Sequence, residues 1–477
     1  MREFKEQRPF LYRMSYVVVK VALSIFFQKL DVRRPENIPK RGPVIFAANH
    51  PNSIMDALVL GVITKRKVNY IAHAGLFNNP VKAWFLRKCG VIPVYRKHEA
   101  PDKMQENEHT FEEARRVLER GEAIGIFPEG VSDMARKVQR LKTGTARILM
   151  DTEEKNDYKL GVKLVPVGLH FYSRSRFRSR VMANFGEAIE LQPYFEQYKK
   201  EGFEAIRALT DAMQHELEKL TVNVQDEELD EFVRDIEVLY RDELKTFDFT
   251  DRKSREKAWR EEFVISKAIA ECVQYYRNTD PERVERLQER IGAYKRKLKR
   301  LRLSDNMLRE SSNARDIWRQ VFRTYRSSIP GLIPALYGII NNYIPYRISE
   351  NIGRRFHFER TKILSALLLG GGMTFLLFYT LQTALVATFA NPWWTAAYAL
   401  SLPVSGFYAL SYVTRLREQK KRLSFSFFLF TNKQLVTRMK RQRKQLIAEF
   451  DAVRDEYLNR MDIIMTPKAE TAKNRTS

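Results

Sequence analysis

The chain has 477 residues, enough for two or three domains, and its 83 Lys and Arg against 58 Asp and Glu leave a formal charge of +25. That excess calls for a polyanionic partner, either nucleic acid or an anionic membrane surface. Cys89 and Cys272 stand far apart with no metal-ligand spacing around them, which excludes a disulfide framework and a zinc site and fits a reducing, cytosol-facing compartment.

Residues 1–30 read as an amphipathic, membrane-associated helix. The apolar stretch from Tyr16 to Phe27 is interrupted by Lys20 and has no small-residue cleavage site, so it is not a signal peptide. Residues 31–195 alternate short apolar runs with helical stretches. Val44 to Ala48, Val68 to Ala72, Val91 to Tyr95, Ala123 to Phe127 and Leu164 to Gly168 read as strands. Ala57 to Ile63, Val81 to Lys88 and Thr110 to Arg120 read as helices, the last closed by Gly121. The expected fold is therefore α/β, a mostly parallel central sheet flanked by helices, with its site at the carboxyl ends of the strands.

Residues 196–325 are charged, Gly-poor and helical in period, which suits packed helices or a coiled-coil arm. In 326–362 an apolar run is broken by Pro330, Pro334 and Pro345 and reads as an interfacial or re-entrant segment. Residues 363–414 hold two uncharged runs joined at Asn391-Pro392-Trp393-Trp394, each long enough for a hydrocarbon core of about 30 Å, and predict a C-terminal two-helix transmembrane hairpin. Arg354, Arg355, Arg360 and Lys362 flank its start and Arg415, Arg417, Lys420, Lys421 and Arg422 its end, so both ends and the α/β domain are expected to face the cytoplasm. Residues 415–477 form a basic helical tail with a polar end. Lipid headgroups then account for the positive charge, and no helix-turn-helix, RRM or zinc-finger pattern supports a specific nucleic-acid partner.

Four stretches place chemistry just past a predicted strand. Asn49-His50-Pro51-Asn52-Ser53-Ile54-Met55-Asp56 sets a His and an Asp on one connection, the pairing a general base needs. Gly90-Val91-Ile92-Pro93-Val94-Tyr95-Arg96 ends on a guanidinium suited to a phosphate. Phe127-Pro128-Glu129-Gly130-Val131-Ser132 offers a carboxylate and a flexible glycine in a turn, and Val165-Pro166-Val167-Gly168-Leu169-His170 reads as a structural strand.

Together and in this order the four blocks resemble the glycerolipid acyltransferases, and the resemblance covers about residues 30 to 190. The family's later basic segment is matched by Leu141-Lys142-Thr143-Gly144-Thr145-Ala146-Arg147. The resemblance implies transfer of a fatty acyl group from acyl-CoA or acyl-carrier protein to a hydroxyl of glycerol 3-phosphate or 1-acylglycerol 3-phosphate, with a remodelling acyltransferase for other lysophospholipids as the alternative. It implies His50 and Asp56 as the catalytic pair, Arg96, Glu129, Gly130 and Ser132 as substrate-binding residues, no metal, and no cofactor beyond the acyl donor. No Gly-x-Ser-x-Gly nucleophile elbow is present, so transfer without a covalent acyl-enzyme is expected. Two departures stand out. Five residues rather than four separate His50 from Asp56, a spacing that resembles the glycerol-3-phosphate-type branch of fungal enzymes of the endoplasmic reticulum, and His73 stands where the family usually carries Lys.

Overall fold

The computed structural model describes residues 8–95, 107–133, 135–173, 177–224, 226–240, 252–301, 303–309, 318–319, 322–323, 325–326, 329–355 and 362–465. It divides into two compact units: residues 1–223 with 346–376, and residues 224–345 with 377–477.

The first unit is built on a seven-stranded sheet: β1 (Lys29–Arg33), β2 (Val44–Ala48), β3 (Val68–His73), β4 (Val91–Val94), β5 (Ala123–Ile126), β6 (Lys163–Phe171) and β7 (Arg180–Phe185). Their order is β1-β7-β6-β2-β5-β3-β4. Strands β6, β2, β5, β3 and β4 run parallel, while β7 reverses against β6 and β1 follows β7. The expected mostly parallel α/β sheet is thus present. It has two reversed strands, β1 and β7, that the sequence pattern does not announce. Lys-Leu-Asp-Val-Arg is half-buried throughout and owes its strand state to pairing with β7.

Strand β2 shows how the sheet acquires two layers. Its five residues are all buried, and because successive side chains point to opposite faces, Ile45 and Ala47 enter one core while Val44, Phe46 and Ala48 enter the other. The first core is closed by α4 (Asn107–Glu119), α5 (Gly144–Glu154) and α7 (Gly202–Leu220), through Val117 and Leu118, Ile148 and Leu149, and Leu209, Met213 and Leu217. Helix α6 (Gln192–Tyr198) adds Phe195 to it. The second is closed by α1 (Phe10–Phe26) and α2 (Ile54–Ile63), through Leu23, Phe26, Met55, Val59 and Leu60. Helix α3 (Pro80–Lys88) links β3 to β4. Leu364, fully buried, belongs to the second core as well, with Leu367 and Leu368 packed beside it.

In the second unit α8 (Glu227–Tyr240), α9 (Arg252–Thr279), α10 (Pro281–Arg300) and the short α11 (Asp305–Arg309) are the packed helices expected of the charged region. Arg443, on the last helix, donates to Asp305 at 3.0 Å, and Arg283 pairs with Glu456 at 2.7 Å, so the C-terminal helix is part of this bundle.

The proline-broken segment differs from its expectation. Leu332–Arg355 is one continuous helix, α12, in which Pro334 lies in the first turn and Pro345 in the interior. Pro345 has no N–H for the carbonyl of Asn341, and Gln382 Nε2 donates to that carbonyl at 3.0 Å instead. A neighbouring side chain thus replaces the bond that proline removes. Gln382 lies on α13 (Ile363–Ala387), which includes a π-helical turn at Leu367–Gly371. Among the described residues α13 is the one helix long and apolar enough to cross a membrane: 25 residues rising about 1.5 Å each exceed a hydrocarbon core. The second run of the expected hairpin is helical too, as α14 (Pro392–Thr431), capped by the Asn391 side chain, but it does not reach the same apolarity. Helix α15 (Lys433–Met465) completes the chain's described part.

If the start of α13 is a piece of the sheet's core, Leu364→Ala should cost about 2–5 kcal/mol of stability. Leu369→Ala, half exposed one turn later, should cost well under about 1 kcal/mol. Thermal unfolding of both variants in detergent checks this.

Candidate active site

Strands β2 and β5 are parallel neighbours in register, Ala47 opposite Ile126, so the turns that follow them emerge side by side. The first turn carries His50 and Asp56, the second Glu129, Gly130 and Ser132. Asp56 lies on the first turn of α2 and is fully buried. His50 Nδ1 meets Asp56 Oδ2 at 2.8 Å, and the imidazole keeps 19% of its surface exposed while the carboxylate keeps none. This contrast leaves the far ring nitrogen to meet a reactant and hides its partner from water. Asp56 Oδ2 also accepts the backbone N–H of Asn52 at 2.7 Å, which fixes the carboxylate independently of the ring.

The extra residue between His50 and Asp56 is absorbed at Ser53, whose backbone has φ 52° and ψ −129°. A non-glycine residue at positive φ is strained, and such strain persists where surrounding bonds hold it. Here the bond is to the neighbouring turn: Ser53 N donates to Ser132 Oγ at 2.9 Å. Ser132, expected to contact substrate, holds the His50 turn in place. Asp133 N adds a bond to His50 O at 3.2 Å.

Glu129 plays a similar part. It is 4% exposed and its Oε1 accepts the backbone N–H of His50 at 3.2 Å. Burial first, and then the charges of Asp56 and Asp133, push its carboxyl up to about 8, while the hydrogen bonds from His50 and Gln139 pull the other way. At neutral pH Glu129 is therefore mostly protonated. A second negative charge beside Asp56 is avoided, and the carboxyl retains an O–H to donate.

Gly130 adopts φ +69°, a conformation natural to glycine, and a methyl group built there would lie 2.8 Å from Lys142 Nζ. The exposed Lys142 chain lies over Gly130, and Lys142 N donates to Pro128 O at 2.9 Å. The structure thus brings a cation from the later basic segment to the Glu129 turn. Arg96 falls outside the described residues.

Three residues of the motifs, Phe127, Asn49 and Asn52, have surroundings that the motif spacing does not announce. The Phe127 ring stacks on His50 with centroids 4.2 Å apart and 16° between planes, and Tyr70 lies parallel beyond it at 6.5 Å. An aromatic face there favours a positively charged imidazole over a neutral one. Asn49 grips β6 at both ends of its amide, accepting from Leu169 N at 2.6 Å and donating to Leu169 O at 3.1 Å. Asn52, fully buried, has side-chain amide atoms with no hydrogen-bond partner among the described residues. Motif spacing gives no sign of such contacts, because each depends on how two strands lie beside one another.

Residues 29–170 match the model of the Acyltransferase family. Through this domain the chain is similar to the glycerolipid acyltransferases. It is 22% identical over 421 residues to an uncharacterized acyltransferase of Schizosaccharomyces pombe, covering 69% of this chain and 60% of that one. It is 27% identical over 228 residues to the glycerol-3-phosphate O-acyltransferase 1 of Saccharomyces cerevisiae, covering 45% of this chain and 28% of the relative. Over 121 residues it is 30% identical to the 1-acyl-sn-glycerol-3-phosphate acyltransferase of Bacillus subtilis, covering 25% and 56%. The chain thus spans less than two thirds of the length of these relatives.

The acyltransferase domain's buried Glu129 gives stability a pH signature. In the fold Glu129 holds its proton to about pH 8, in the unfolded chain only to the ordinary 4.5, so the unfolded state releases it first as pH rises. The stability that the protonated carboxyl contributes is full below pH 4.5 and is lost as pH rises from 4.5 through about 8. Glu129→Gln should therefore show a smaller drop in melting temperature from about pH 5 to about pH 8 than the wild-type chain, measured by thermal unfolding at both pH values.

Proposed function

We propose that the chain is a membrane-bound O-acyltransferase that moves a fatty acyl group from a thioester donor, acyl-CoA or acyl-carrier protein, to a hydroxyl of glycerol 3-phosphate or 1-acylglycerol 3-phosphate. The observation that carries this reading is the His50–Asp56 pair, 2.8 Å apart across the turn that follows β2. His50 accepts the proton of the acceptor hydroxyl as its oxygen attacks the thioester carbonyl. Asp56 holds the ring's orientation and stabilises the imidazolium. When the tetrahedral intermediate collapses, the carbon–sulfur bond breaks and the proton passes to the leaving thiolate. No acyl-enzyme is formed. General-base assistance of this kind contributes roughly 10²–10⁴ in rate.

Lys142, beside Gly130, is placed to neutralise the acceptor's phosphate, with Arg96 as the second cation. A cation beside Gly130 favours a phosphomonoester over a zwitterionic lysophospholipid. The names of the yeast and Bacillus relatives support the same two acceptors.

Membrane attachment is supported by the second unit, whose apolar helices are arranged with polar groups inward. Tyr379 donates to Asn342 Oδ1 at 2.6 Å, Tyr398 to Asn341 Oδ1 at 2.8 Å, and Asn342 Nδ2 to the carbonyl of Gly338 at 2.9 Å. Outward stand Ile333, Ile340, Leu377, Leu381, Leu400 and Val404, each more than half exposed. A bundle with polar groups inside and aliphatic ones outside is matched to hydrocarbon rather than to water. The acyltransferase domain is assigned to the cytoplasmic side by the basic flanks of α13 and α14.

Membranes carrying the chain, given labelled acyl-CoA with glycerol 3-phosphate or 1-acylglycerol 3-phosphate in parallel, should consume one of these acceptors at least about tenfold faster than lysophosphatidylcholine. Preference for lysophosphatidylcholine would assign the chain to lipid remodelling instead.

A further inference from the structure

We propose that α3 is a second lipid-docking element of the acyltransferase domain, inserting Val81, Trp84 and Phe85 into an anionic phospholipid surface beside α1. The proposal rests on the membrane-bound reading above and says which face of the domain meets the lipid.

Helix α1 is apolar on two sides. Leu23 and Phe26 are buried in the sheet's second core, with Tyr16 and Val19 packed against it, while Phe10, Met14, Val17, Val18, Val21 and Ile25 are 43–82% exposed. These recur at helical spacing and form one outward stripe. Helix α3 repeats the pattern on a smaller scale. Val81, Trp84 and Phe85 are 74%, 57% and 40% exposed and share one face at i, i+3 and i+4. The two helices meet where Cys89 Sγ, just past the end of α3, lies 3.8 Å from Ser15 Oγ of α1. That contact makes α1 and the end of α3 neighbours, each with its own exposed apolar face.

Charge and continuity identify the occupant. Neither helix contains an Asp or Glu, while Arg13 and Lys20 on α1 and Lys82, Arg87 and Lys88 on α3 are exposed. An apolar stripe rimmed only by cations complements anionic headgroups over acyl chains. The same core that seats α1 also takes in Leu364, at the start of the helix long enough to cross the membrane. The domain is therefore tied to lipid on this face. Trp84 has an indole of the kind that settles at the headgroup boundary.

The test reads Trp84 in the full chain reconstituted into vesicles of phosphatidylcholine and phosphatidylglycerol. The difference in emission between wild type and Trp84→Phe isolates this indole. With brominated acyl chains that difference should fall by more than about half, and vesicles should protect it from aqueous iodide. An unchanged difference signal, quenched by iodide as fully as free indole, would overturn the proposal. A second variant, V81S/W84S/F85S, should lose about tenfold in turnover of a long-chain acceptor dispersed in vesicles and retain turnover of a short-chain, water-soluble one. Equal loss on both would overturn it too. Should wild type transfer acyl groups to no acceptor, the acyltransferase reading fails while the bromine measurement still decides α3.

Discussion

The hydrogen bond between His50 and Asp56 is the constraint to which the rest of the acyltransferase domain is fitted. It requires a carboxylate kept from water and an imidazole kept within reach of it, across a turn one residue longer than the family's usual spacing. Asp56 meets the first condition by starting a helix whose inner face is the sheet's core. The second is met from outside the turn. Glu129 holds the His50 amide, Ser132 holds that of Ser53, Asp133 binds the His50 carbonyl, and Phe127 supports the ring. All four come from the segment after β5, so the two motifs act as one device whose halves are aligned by the pairing of β2 with β5.

This arrangement gives the third motif a structural part as well. From the sequence, Glu129, Gly130 and Ser132 read as groups that meet the acceptor. In the fold, Glu129 and Ser132 spend hydrogen-bonding capacity on the His50 turn, and Gly130 makes room for Lys142. A protonated Glu129 adds no charge of its own beside the Asp56 carboxyl.

Much of the fold was legible because buried parallel strands carry their own signal. Val44 to Ala48 and Ala123 to Ile126 are continuous apolar runs, and such runs are what a sheet covered on both faces demands. β1 and β7 were not legible, since their strand state depends on neighbours. Lys29–Arg33 is a half-buried edge, and Arg180–Phe185 turns back against β6. The continuity of the proline-rich helix α12 was hidden for a related reason. A proline breaks a helix when the freed carbonyl has nowhere to go, and the donor that rescues it, Gln382, is 41 residues away in sequence. The His50–Asp56 pair was legible as a local pattern. Its strain at Ser53 and its stacking on Phe127 were not, because both depend on a turn 79 or so residues downstream.

The membrane and the chemistry belong to one design. The sheet's second core is shared by α1, α2 and the start of α13, and α2 begins at the His50 turn, so on the proposed reading the helices that would meet lipid pack on the same layer as the helix that carries Asp56. The most direct test of the account is acyl transfer by His50→Ala in the full chain held in vesicles, with far-UV circular dichroism and vesicle flotation recorded on the same sample. The account expects turnover to fall by at least about 10²-fold while helix content and flotation match the wild type. Turnover within a few-fold of wild type in that folded, membrane-bound variant would contradict it.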